Sequence, residues 1–484
     1  MSIPLKPNGS IFQNKNIEAS LLKEKLKDIF CNYKNIKDTA IDKELKEILG
    51  ELHELLHSLS SDSLETAIAY LHKNNFTKQL ISMFKHKLHD DDNDDIIIIL
   101  LKIYVSILSI KDLEILNEIA SDNLIVVYER LLDSKNSKLL ELIFIGLANL
   151  VSNNSYYKTH YKDTGLLSKL SQVFNYWIIH DQVSDTLLYG YCKLMCQYFI
   201  THPLDTYTEC KYYVEFFIKF YISFHRSLYV DCEEDILNFL TLSLSLADEK
   251  QIDDLSGIEE WSKFLYRMID NLLDDKKEIN LNSIKILVNL TYSNSDEIFR
   301  DLLKVPTYEN CEKLLRVADN NCCKDLLIFL ANLFVFGGVY IDKLCKNENL
   351  IYLLLEKVHD NNTYNELKEE LLSLFRNLFT YSDNNTLSDY LYRNYDLIQI
   401  FIEKIHSKET GEILKFLYQI IRELFEIGNY IKARNDVDHN VFVEYIANEE
   451  KLAHRLEEVQ HHEENRIVNL YVDLIRKYLL TEES

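Results

Sequence analysis

The chain has 484 residues, 47% apolar and 27% charged, with a formal net charge of −24. Only 10 Gly and 4 Pro interrupt this apolar material, which favours helices throughout. The acidic excess argues against direct nucleic-acid binding, because a phosphate-reading face needs clustered Lys and Arg; it suits basic protein partners, or serves only to keep a long helical surface soluble.

Nine cysteines are scattered without a Cys-x-x-Cys pair, the pattern of reduced thiols in a protein of the cytoplasm and nucleus. The opening MSIPLKPNGSIFQNKN lacks the apolar stretch of a signal peptide. The longest apolar run, Ile96 to Leu101, is broken by Lys102 and is too short to span a bilayer, so no membrane insertion is expected.

Residues 1–16, with Pro4 and Pro7, read as a disordered lead-in. Residues 17–88 read as N-terminal capping helices: Leu21, Leu22, Leu26 and Ile29 carry one apolar stripe, and Leu45, Leu49, Leu52, Leu55, Leu56 and Leu59 carry another after a break near Thr39. Within the second stripe, His53-Glu54-Leu55-Leu56-His57 matches the zinc-protease pattern. No third ligand follows at a defined spacing, and a solvated helix face is the better reading. The run His89 to Asp95 reads as a loop whose carboxylates favour the start of the next helix. It lacks the alternating ligands, central Gly and distal Glu of a calcium loop.

Residues 89–435 carry an internal repeat. SIKILVNLTYSNSDEIFRDLL, LLIFLANLFVFGGVYIDKLC and LLSLFRNLFTYSDNNTLSDYL share one plan, and their Asn289, Asn332 and Asn377 fall 43 and 45 residues apart. A period of roughly 40–47 residues built from helices indicates an armadillo or HEAT array, and three helices between successive Asn positions favours armadillo. The register extends to Ser106, Asn149, Gln197, Ser243 and Glu423. Residues 436–484 read as a C-terminal capping helix pair, with Ala447 to Val459 and Ile467 to Leu480 as its amphipathic runs.

Stacked third helices would place one register position per repeat in a row. An Asn there can offer donor and acceptor to an extended peptide backbone, or can serve to close its helix. Carboxylates at Glu141, Asp235, Asp325 and Glu370 fall two turns earlier on the same helix face. They can pair with basic side chains of a partner, or can serve only the helix macrodipole.

The phrases ANLVSNNSYYKTHYKDTGLLSKLSQVF, ANLFVFGGVYIDKLCKNENLIYLLLEKV and RNLFTYSDNNTLSDYLYRNYDLIQIFIEKI resemble armadillo units of the importin-α (karyopherin-α) family, and EEKLAHRLEEVQHHEENRIVNLYVDLIRKYLL resembles that family's last unit. The resemblance implies an all-α, right-handed superhelical armadillo-repeat solenoid. It also implies an adaptor for nuclear import that binds basic, nuclear-localisation-type peptides in an acidic concave groove, with peptide-binding residues Asn149, Asn289, Asn332, Asn377, Glu141, Asp325 and Glu370, and with importin-β-type or export receptors as further partners. The chain departs from the family in two places. The positions one turn before the register, Lys102, Ile145, Lys285, Ile328 and Ser373, carry no Trp, and residues 1–50 contain no Arg. The other functions open to such a scaffold are a regulator of a small GTPase, a co-chaperone, or a structural scaffold between larger subunits.

No nucleophile elbow, phosphate loop or dinucleotide fingerprint occurs. Cys192 and Cys196 are four apart on one helix, where buried thiols are commoner than ligands. The expectation is a non-enzymatic protein with no cofactor and no metal.

Overall fold

The computed structural model describes residues 19–36, 42–88, 94–119, 124–153, 155–179, 184–200, 206–223, 230–259, 261–292, 296–346, 348–382, 385–460, 462 and 464–479. The expected lead-in, the break near Thr39 and positions 89–93 of the acidic run lie outside these residues. Among the described residues the chain is all α-helical, with 28 α-helices, a few short 3-10 or π turns and no strand. None of these helices is long and apolar enough to cross a membrane. The fold divides into two compact units, residues 1–205 with 225–239, and residues 206–224 with 240–484.

The second unit is a solenoid-like stack of three-helix repeats. Its third helices, Lys277–Thr291, Asn320–Val335, Asn361–Thr380, Gly411–Asn435 and Asn465–Leu474, each pack on the next. Its second helices, Trp261–Asp270, Thr307–Val317, Glu348–His359, Ile398–Ile402 and Glu450–Glu457, form a parallel row. The short first helices include Gly338–Cys345 and Thr386–Arg393, which pack on each other. Local chemistry starts and stops these elements. Asp319 caps its helix by accepting from the Cys322 N–H, Asp360 accepts from Asn362 and Thr363, and Thr410 accepts from Ile413. Gly337, at φ +95°, turns the chain out of Asn320–Val335 into the following helix, a conformation that a Cβ would oppose.

The first unit has third helices Asp42–Ser58, Asp94–Ile107, Ser137–Asn153 and Asp185–Ile200, again packed in sequence. Leu45, Leu49, Leu52 and Leu56, at i, i+4, i+7 and i+11, are the buried stripe of the first of these. Gly190 permits an unusually close approach of Asp185–Ile200 to its neighbour: a Cβ there would lie 3.0 Å from the Glu141 carbonyl oxygen and 3.3 Å from Phe144 Cβ.

Two expected boundaries shift. Helix Asp42–Ser58 packs on Asp94–Ile107 as one third helix on another, with an ion pair between Lys46 and Asp95. Helix Asp42–Ser58, expected within the N-terminal cap at 17–88, therefore contributes to the repeat array. At the other end, Glu449, with φ −116° and ψ 86°, breaks the expected Ala447 to Val459 helix. The result is Val441–Asn448, Glu450–Glu457 and Asn465–Leu474, three helices in place of a pair.

Candidate binding surface

The register positions lie on third helices, and Ser243 lies on Val230–Leu244, the helix whose Thr241 carbonyl receives Asn289. The asparagines among them face the preceding helix of the row. Asn149 Nδ2 donates to the Val105 carbonyl at 3.1 Å, Asn289 Nδ2 to the Thr241 carbonyl at 3.0 Å, and Asn377 Nδ2 to the Ala331 carbonyl at 3.1 Å. Asn332 Nδ2 instead donates to Thr291 Oγ1 at 3.2 Å. The Val105 carbonyl lies in the last turn of Asp94–Ile107, where carbonyls lack an intrahelical donor, and Asn149 supplies one; the Thr241 carbonyl already accepts from the Ser245 N–H, and Asn289 adds a second bond to it. Neither the peptide-reading role nor the helix-closing role expected for these residues describes what Asn149 and Asn377 do. With 3% and 6% exposure they are staples between repeats. Asn289 and Asn332 are half-buried and stapled in the same way.

The carboxylates behave similarly. Glu370 Oε1 pairs with Lys324 Nζ at 2.8 Å, and Asp235 takes both Lys193 Nζ at 2.8 Å and Gln197 Nε2 at 3.1 Å. Lys277 with Asp319 at 2.5 Å, Lys368 with Glu409 at 2.8 Å and Lys211 with Asp254 at 3.0 Å repeat the motif, a lysine of one repeat reaching a carboxylate of the next. Two of the acids expected to meet a partner's cations, Asp235 and Glu370, thus already meet the chain's own. Glu141 is half-buried against Asp185–Ile200, and burial raises its pKa against the opposing pull of Thr186, Lys138 and Lys102. Asp325 is likewise raised by burial, while Lys285 and Lys324 lower it and Glu370 raises it. Glu141 and Asp325 stand beyond the first turn of their helices, so the macrodipole does not account for them.

The two units differ in what their third helices leave open. Ser137–Asn153 is buried without interruption from Leu142 to Val151, so it offers no face to a peptide. In the second unit Lys285 on Lys277–Thr291 and Tyr292 just after it are exposed, and Asp325, Ile328 and Asn332 are half-exposed on Asn320–Val335. At or just past the C-terminal ends of Val230–Leu244, Lys277–Thr291, Asn320–Val335 and Asn361–Thr380 stands a row that residue-by-residue motif reading missed: Leu246, Tyr292, Val335 and Tyr381 are all exposed, one per repeat. Tyr292 is 72% and Tyr381 44% exposed. The signal was present in sequence as the apolar residue three or four places after Ser243, Asn289, Asn332 and Asn377.

His53 and His57 of the zinc-protease pattern sit edge to face with ring centroids 5.8 Å apart. Among the described residues no group of three His, Cys, Asp or Glu is placed to hold a metal. Cys192 and Cys196 are buried, and burial drives both thiols well above their ordinary pKa. Trp177 and Trp261 are core residues.

No family model and no curated protein matches this chain. Among solved structures it is similar to an engineered protein from a structural-genomics programme, with a TM-score of 0.54 over 84% of this chain and 96% of that one, at 13% identity. That likeness concerns the fold alone.

Proposed function

We propose that the chain is a non-enzymatic protein-binding scaffold that holds an extended basic segment of a partner along the open third-helix face of its second unit. The observation that carries this reading is the periodic row Leu246, Tyr292, Val335 and Tyr381, apolar side chains exposed at one per repeat where a packed array has no structural need of them. A net charge of −24 favours a basic partner. Asp325 adds a specific reason. Its carboxylate is half-buried and disfavoured by that burial, so a docking Lys or Arg relieves the penalty. The resemblance to importin-α suggests that the partner segment is of the nuclear-localisation type and that the scaffold serves nuclear import. Recognition here rests on the apolar row and Asp325, because the amides of Asn149 and Asn377 are engaged between repeats.

The test is fluorescence anisotropy of a labelled Lys/Arg-rich peptide against the full chain, with an acidic peptide as control. Binding that falls steeply with salt, and by about tenfold in a Tyr292→Ser, Tyr381→Ser double variant, supports the reading. Failure of the peptide to bind at low salt overturns it. Capture of a small GTPase that depends on its nucleotide state would replace it with the regulator function.

A further inference from the structure

The second unit contains a cleft of about 520 Å³, away from the third-helix row, between the first helices of two successive repeats. One wall is a single face of helix Val441–Asn448: Val441, Glu444, Tyr445 and Asn448 all line the cleft, at i, i+3, i+4 and i+7. The other wall is Tyr392, from helix Thr386–Arg393, and Tyr395, from the turn that follows it. The rings of Tyr395 and Tyr445 stand 5.5 Å apart at 70°, while Tyr392 and Tyr395 remain exposed to solvent.

The walls are held in place. Asn440 caps Val441–Asn448 by accepting from the Phe442 and Val443 N–H groups, and its own amide donates to the Phe425 carbonyl at 2.8 Å. The Tyr445 hydroxyl donates to Gln399 Oε1 at 2.8 Å, which fixes the ring's direction. The surroundings are acidic. Glu444 is on the wall, with its Oε2 2.6 Å from His439 Nε2. Asp396, Glu449 and Glu403 lie close enough to act on Tyr445 and, after burial, add to the raising of its pKa.

Three tyrosines lining an opening with a carboxylate on the wall offer the chemistry that attracts a cation of low hydration. The π faces attract positive charge, and a methylated ammonium gives up its water more easily than a bare one. We propose that this cleft is a binding site for a methylated ammonium group, taken up between Tyr392, Tyr395 and Tyr445 with Glu444 supplying the countercharge. The proposal does not depend on the third-helix face and stands or falls separately from it.

Calorimetric titration of the full chain with a short peptide containing trimethyllysine, with the same peptide carrying unmodified lysine, and with phosphocholine tests it. The expected result is at least about tenfold tighter binding of the trimethylated peptide than of its lysine counterpart. Tyr395→Ala should abolish that preference and Tyr395→Phe should keep it, because the ring face and not the hydroxyl makes the contact. Glu444→Gln should weaken binding several-fold. Binding of phosphocholine without the peptide also supports the site and assigns its ligand to a free or lipid-borne head group. Thermal melts of each variant separate loss of the site from loss of fold. Equal affinity for lysine and trimethyllysine, absence of binding by every probe, or unchanged preference in a folded Tyr395→Ala variant overturns the proposal.

Discussion

Asn377 donates its side-chain amide to the main-chain carbonyl of Ala331 across 3.1 Å, joining positions 46 residues apart on neighbouring third helices. Both groups are withdrawn from water, and the Ala331 carbonyl, inside Asn320–Val335, keeps its own helical donor when the amide is removed. Asn377→Ala is therefore expected to cost about 0.5–1.5 kcal/mol, the net worth of one hydrogen bond. Asn332→Ala should cost less, because its partner Thr291 Oγ1 also bonds the Leu287 and Val288 carbonyls. Urea-denaturation midpoints check both, and peptide affinity should be unchanged by Asn377→Ala.

Two glycines on third helices of the first unit give opposite expectations. Gly190 faces the Glu141 carbonyl oxygen so closely that a Cβ would sit 3.0 Å from it, and main chain cannot swing aside as a long side chain can. Gly190→Ala should therefore destabilise by about 1–3 kcal/mol through overpacking. Gly50 has nothing within 4 Å of its would-be Cβ. Gly50→Ala should stabilise by about 0.5–1 kcal/mol by removing the entropy cost of a mid-helix glycine. Thermal midpoints of the two variants should move in opposite directions.

Lys193 is almost fully buried, and its Nζ lies 2.8 Å from Asp235 Oδ2. Removing one partner of such a pair leaves a charge without compensation, so Lys193→Met is expected to cost about 3–5 kcal/mol. Gln197 Nε2, 3.1 Å from Asp235 Oδ1, limits the damage but carries no charge. The double variant Lys193→Met, Asp235→Leu should recover most of the loss, since a packed apolar pair of similar volume is often as stable as a buried ion pair. A double-mutant cycle on denaturation free energies measures the coupling.

Periodicity along the chain was a good guide to which residues share a helix, and a poor one to what each helix faces. The register carried by Asn289, Asn332 and Asn377 extends to Gln197 on Asp185–Ile200 and to Ser243 on Val230–Leu244, because apolar spacing and repeat length are written locally. The depth of Asn149 is not local. It depends on neighbours 44 and more residues away, and an isolated amide reads the same whether it points to a peptide or to a carbonyl of the preceding repeat. Helix Asp42–Ser58 read as a cap because it precedes the repeats, where an array needs its end covered, yet its Leu stripe packs into the array. The tyrosine cleft was illegible for a related reason: Tyr392 and Tyr395 meet Glu444 and Tyr445 only because successive repeats stack.

Acidity should act on this fold through His53 before it acts through most carboxylates. His53 Nδ1 is buried without a hydrogen-bond partner. Burial, aided by Lys102 and His57, lowers the imidazole pKa from 6.5 to about 4. The unfolded chain therefore takes up the proton first as pH falls. Stability carried by the neutral ring is complete above about pH 6.5 and is lost progressively down to about pH 4, where the folded form also protonates. Denaturation midpoints measured across that window should fall with pH, and His53→Leu, which keeps an apolar body in the same space, should flatten the decline. Glu141 acts with the opposite sign. Its pKa is raised by burial, so its charged form is disfavoured in the folded state, and acidification through the glutamate range removes that penalty. Glu141→Gln should accordingly stabilise the protein at neutral pH, with the difference from the parent chain closing as pH falls through the raised folded pKa and already closed below the ordinary glutamate value of 4.5. If His53→Leu leaves the slope between pH 6.5 and 4 unchanged, the loss there belongs to other groups, and the ring is hydrated in the folded protein.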